Sequence, residues 1–83
     1  MEVIKRDGQK EDFDWGKLRK SILAAGASEE EVESIVQEVE TWLPMVANNN
    51  LVSYQAIWTK VVESLKQINP VAAKSYQEYQ KNQ

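Results

Sequence analysis

The chain has 83 residues, a formal net charge of -3 and 42% hydrophobic residues, a size and composition that predict one small domain over residues 1–83 with a modest core. It contains neither cysteine nor histidine, which excludes disulfides, thiolate chemistry and the commonest general base and metal ligand. No apolar run approaches the roughly 18 residues of a membrane span, and the N-terminus lacks a signal-peptide core, so a cytoplasmic location with no membrane partner is expected.

Charge is unevenly spread. Residues 1–20 carry six cations against five carboxylates, and residues 29–40 carry six glutamates and no cation. An anionic ligand should therefore meet the ends of the chain and avoid its middle.

Residues 3–6 and 9–13 flank Asp7-Gly8, a strong hairpin signal because a type I′ turn needs φ > 0 at both central positions. A two-residue loop would pair Arg6 with Gln9, Lys5 with Lys10 and Ile4 with Glu11. Two lysines face to face repel, so either they splay into water or an anion relieves them. Asp14 is a good N-cap for a first helix whose stripe is Trp15, Leu18, Ile22 and Ala25, ended by Gly26.

Ser28 with Glu31 forms a capping box, and Val32, Ile35, Val36, Val39, Trp42 and Leu43 are the most regular stripe in the chain. Pro44 is expected to end that helix. The glutamate run at its start reads as a solvated face complementing the helix dipole rather than as a metal site. Residues 45–50 read as a loop and Leu51-Val52 as a short third strand. Ser53 caps a third helix bearing Ile57, Trp58, Val61, Leu65 and Ile68. Asn69-Pro70 then opens a fourth, which presents Val71, Ala72, Ser75, Tyr76 and Tyr79 and frays at residues 81–83. The predicted fold is α+β but mostly α: a small β-hairpin or three-stranded sheet capping a bundle of about four helices.

Catalytic signatures are missing. There is no Ser/His or Cys/His pair, no Walker-type glycine loop and no zinc-ligand spacing. The best constellation is Lys5, Arg6 and Lys17, the last in the first turn of a helix, where unpaired backbone N–H groups and the dipole favour an anion. Arginine offers a planar fork to phosphate oxygens and lysine a mobile point charge.

The string Val3-Ile4-Lys5-Arg6-Asp7-Gly8, followed by Phe13-Asp14, Lys17-Leu18 and Ser21-Ile22, resembles the opening of the ATP-cone family. That family is an ATP/dATP-binding regulatory module, found at the N-terminus of many ribonucleotide reductase large subunits and in the zinc-ribbon repressor of reductase genes. The resemblance implies a non-catalytic allosteric domain whose ligand is ATP or dATP, with Mg2+ as an accompanying ion. Lys5 and Arg6 would contact the phosphates and Lys17 would complete the cationic set. Val3 and Ile4 would line the adenine side through backbone and apolar contacts, and Glu11 would lie near the nucleotide. Tyr54 and Trp58 fall in the helical region that faces the ligand, and Lys81 near a basic position at the end of the domain.

The chain departs from the family pattern at Trp58, where a smaller polar residue or histidine is common, and at Gly16, a position usually polar or acidic. Read without the resemblance, Trp58 is core or pocket wall, Tyr76 and Tyr79 are helix packing, and Lys81 is surface. The expected partners are an adenine nucleotide and either a catalytic domain, as in a reductase, or another copy of the chain. Nucleic acid is not expected, because a cysteine-based zinc ribbon is missing and the acidic second helix suits DNA poorly. The alternative is a degenerate cone or small helical domain acting only in protein–protein association.

Overall fold

The computed structural model describes residues 1–81, with side chains through residue 78. The elements run β1 (Glu2–Ile4), β2 (Lys10–Asp12), α1 (Trp15–Ala24), α2 (Glu29–Val46), β3 (Leu51–Ser53), α3 (Tyr54–Ile68) and α4 (Pro70–Lys81). The fold is α+β and mostly α, as expected. The sheet has the order β2-β1-β3, with β1 antiparallel to β2 and parallel to β3. The N-terminal strand is thus the central one.

The hairpin register differs from the expected one by a residue. Val3 pairs with Glu11 and Ile4 with Lys10, while the Lys5 amide donates to the Gln9 carbonyl at 2.8 Å. The loop therefore holds three residues, Arg6-Asp7-Gly8. The Gly8 amide donates back to the Lys5 carbonyl at 3.0 Å, and Gly8 is left-handed at φ 84. A three-residue loop that places one glycine in the left-handed region is the next commonest hairpin after the two-residue kind. Asp7 supports it by accepting the Gln9 amide at 3.0 Å. Lys5 consequently faces Gln9 rather than Lys10, and the expected repulsion does not arise.

Two consecutive left-handed residues occur elsewhere, at Asn49 (φ 53) and Asn50 (φ 62). There Asn48 and Leu51 exchange backbone hydrogen bonds of 2.9 and 3.0 Å, closing a tight turn that feeds β3. Asparagine tolerates this conformation better than most residues, so the segment read as a plain loop is ordered by its asparagines.

The helix signals hold with one exception. Asp14 accepts the Lys17 amide, Ser53 the Ala56 amide and Asn69 the Ala72 amide, each at 3.1 Å. The Ser28–Glu31 capping box is complete. Pro44, however, lies inside α2, which continues to Val46. A proline so near a C-terminus forfeits one interior hydrogen bond, and here the ring is exposed. The Ala47 amide closes the last turn on the Leu43 carbonyl at 2.9 Å.

The core is one cluster. Val3 and Val52 of the sheet cover Leu18 and Ile22 of α1, the Val32–Leu43 stripe of α2, Ile57 to Leu65 of α3, and Ala72, Ala73 and Tyr76 of α4. Ile22, Val39, Val61 and Leu65 are completely enclosed. Polar ties lace the helices outside it: Arg19 pairs with Glu33, and the buried Ser64 hydroxyl donates to Glu38 at 2.5 Å. Glu31 accepts from the Asn69 side-chain amide at 3.0 Å.

Candidate functional site

A cleft of about 290 Å³ opens where the sheet meets the N-terminal turns of α1 and α3 and the face of α4. Strand alternation explains its roof. Val3 faces the helices and is buried, and Glu11, paired with Val3, lies on the same face; both line the cleft. Lys5, two residues along, shares that face, and its Nζ lies 3.9 Å from Glu11 Oε2. Ile4 and its partner Lys10 fall on the other face, so Ile4 is not among the lining residues. Arg6 sits in the turn, close enough for its charge to act on the Tyr54 hydroxyl. Burial pushes that hydroxyl up and Arg6 opposes the shift.

Helix geometry explains the wall. Asp14, Lys17, Leu18 and Ser21 recur at i, i+3, i+4 and i+7, one face of α1, and all four line the cleft. The backbone amide of Lys17 is already taken by Asp14, so this residue brings its side chain, not its N–H, to a ligand. From α3 come Tyr54, Ile57 and Trp58, one turn apart. Phe13 closes the edge, packed edge-on against Trp15 with ring centroids 4.5 Å apart.

The floor is polar. Tyr76 of α4, only 5% exposed, lines it beside Ser21. Burial drives the Tyr76 hydroxyl above its ordinary range, and Ser21 partly offsets that. The Ser21 hydroxyl in turn donates to the Leu18 carbonyl at 2.8 Å. The indole Nε1 of Trp58 is buried and has no hydrogen-bond partner among the described residues.

Of the residues anticipated from sequence, Val3, Glu11, Lys17, Tyr54 and Trp58 line one cleft, and Lys5 and Arg6 stand at its rim. The Lys81 and Tyr79 side chains lie outside the described residues, as does the expected fraying of 82–83. Sequence reasoning missed the polar floor. Tyr76 reads as packing, which it is, yet it also lines the cleft. The α1 spacing from Asp14 to Ser21 was the available signal for the wall. Among the described residues no group of three or more acidic, histidine or cysteine side chains could hold a metal ion.

The architecture is that of a small helical domain whose three-stranded cap roofs a cleft bordered by Glu11, Asp12, Asp14 and Lys17, with Lys5 and Arg6 nearby. The ATP cone domain family matches it over residues 1–83, and the chain belongs to that family. Proteins named "Transcriptional repressor NrdR" are similar to it. The one from Petrotoga mobilis is 37% identical over 76 residues, covering 87% of this chain and 50% of that protein. Those from Thermomicrobium roseum and Rippkaea orientalis are each 38% identical over 74 residues, covering 84% of this chain and 45% and 41% of theirs. The chain thus spans half or less of these relatives' length.

These relatives are regulators by name, not enzymes, and the chain's likeness to reductase subunits is loose. The relatives also overturn the expectation that nucleic acid is no partner, since they are repressors of transcription. Net charge and the acidic α2 misled because they describe the surface of these 83 residues alone. No described helix is long and apolar enough to cross a membrane.

Proposed function

We propose that residues 1–83 form one domain that binds an adenine nucleotide, ATP or dATP, in the sheet-roofed cleft and transmits its occupancy to the rest of a cytoplasmic transcriptional repressor that acts on nucleic acid. The observation that carries this reading is that Lys5, Arg6 and Lys17 lie about one hollow with an aromatic and apolar wall, although Glu11, Asp12 and Asp14 also line it. A triphosphate is held by these cations, and the base and sugar enter among Val3, Glu11, Tyr54 and Trp58. Ile4 contributes through its backbone. Any Mg2+ arrives on the phosphates, whose oxygens supply most of its ligands. Occupancy pins the β1–β2 turn to the start of α1 and α3, which biases the surface offered to neighbouring domains or to another copy.

Isothermal calorimetry with MgATP and dATP tests the reading. The wild type should bind in the micromolar range. Lys5→Ala combined with Arg6→Ala should weaken binding on the order of 100-fold, since each charge-assisted hydrogen bond contributes roughly 1.5–3 kcal/mol. Equal heats from both proteins, or none from either, would sink it.

A further inference from the structure

Tyr54, Ile57 and Trp58 take one side of α3 to the sheet-roofed cleft, and Ala56, Thr59 and Glu63 lie on the other. There two open hollows of about 410 and 550 Å³ adjoin along α2 and α3, sharing Trp42 and Lys60. Together they form one groove. Its α2 wall runs from Ser34 to Met45, roughly 16 Å of helix or three turns. Ser34, Thr41, Ala56 and Thr59 keep its surface low, so another helix can lie close. Trp42 is half-buried against the core, while Met45, three residues on, is 78% exposed. A fixed indole beside an adaptable thioether is the kind of anchor on which protein partners seat apolar side chains.

Charge selects the occupant. Glu38 and Glu63 line the groove against one cation, Lys60, and among the described residues none of the three is in an ion pair. The whole of α2 carries six glutamates and no cation. Its last turn, at the negative end of the helix dipole, has no basic side chain either. The field over the groove is therefore negative although a lysine stands in it. A second copy of the chain is poorly equipped to answer it. The most cationic helix, α1, holds Lys17, Arg19 and Lys20, but Leu18 and Ile22 of its apolar stripe are spent in the core.

We infer that the α2–α3 groove is a docking site for a basic amphipathic helix of a partner protein. Its apolar stripe rests on Trp42 and Met45, and its lysines or arginines stand beside Glu38, Glu63 and the last turn of α2. Nothing in this docking needs a nucleotide in the cleft.

The test is an NMR titration of the 15N-labelled chain, without nucleotide, with two synthetic helical peptides of about five turns. One carries leucines at i, i+3, i+4 and i+7 with lysines on its flanks, and its twin has glutamate for every lysine. The lysine peptide should shift amides within 34–45 and 56–63 and leave β1 and β2 in place. Its twin should bind about 10-fold more weakly or worse. Met45→Ala and Glu63→Lys, both at exposed positions, should each weaken binding roughly 3- to 10-fold. Glu40→Lys reverses the same charge on α2 but outside the groove, and should change binding less than about 2-fold.

Equal binding by the twin removes the role of charge, and an equal loss from Glu40→Lys and Glu63→Lys removes the role of the groove. Either overturns the inference, as do shifts spread over the whole acidic surface or none in the groove. Groove shifts that grow with protein concentration before any peptide is added make the occupant a second copy, which overturns the partner assigned.

Discussion

At the end of the bundle away from the sheet, polar groups satisfy one another. Glu31 accepts from the Ser28 amide at 2.8 Å and from Asn69 at 3.0 Å, and Asn69 accepts from Ala72 at 3.1 Å, so one carboxylate ties the start of α2 to the α3–α4 turn. At the sheet end the inventory is unequal. Three-residue strands bear exposed charges, and among the described residues Arg6 and Lys17 are in no ion pair and the Trp58 indole N–H is enclosed without an acceptor. The difference shows how so small a domain divides its work. One end secures the helices, and the other keeps bonding capacity in reserve.

Removing what both ends share should have the largest effect. Leu65 is completely enclosed between them, and Leu65→Ala should cost about 2–5 kcal/mol in urea unfolding. Loss of that size would lower stability and ligand affinity together and erase the contrast. Gly8→Ala should act on the sheet end alone. The added methyl meets nothing within 4 Å, but φ 84 disfavours any side chain. About 1–2 kcal/mol is expected, seen as faster amide exchange in β1 and β2 with α2 and α3 still protected. Equal loss of protection in all four elements would show that the two ends are not separable.

The smallest effect should appear at the satisfied end, and only above the acid range, where Glu31 is ionised. Hydrogen bonds from the Ser28 backbone and the Asn69 side chain hold the Glu31 carboxyl below its ordinary value of 4.5. A depressed folded-state pKa stabilises the fold fully above the ordinary value, and that contribution is lost as pH falls through the depressed one. Glu31→Gln should therefore flatten the acid limb of a plot of melting temperature against pH while changing little at the sheet end. An unchanged limb would mean that other carboxylates carry the acid response.

Much of this division is legible in the chain. Caps are local: Asp14, Ser28, Ser53 and Asn69 each need a backbone amide only three residues on, so sequence finds them. The apolar stripes are equally local, and with them the core. Turn geometry was less accessible. Asp7-Gly8 suits both a two-residue and a three-residue loop, and the choice depends on Val3 having to face the helices, a tertiary demand. Pro44 misled because a proline reports the loss of one bond without saying whether enough helix remains beyond it. Lys5, Arg6 and Lys17 could be named from sequence as candidates, but the floor could not. Ser21, Trp58 and Tyr76 lie on three helices, and only packing brings them together.

The place of β1 in the sheet carries a consequence for the order of events. Of the three strands the earliest in sequence is the central one, and its parallel neighbour, with Val3 beside Val52, emerges much later. Contacts so distant in sequence are slow to form because a long loop must close first. During synthesis the hairpin and α1 can gather early, but the cleft has no far wall until Tyr54 and Trp58 exist and no floor until Tyr76 does. A molecule held there certifies that the chain has been made and folded through α4, and by mass action its presence favours the finished form over any unfinished one.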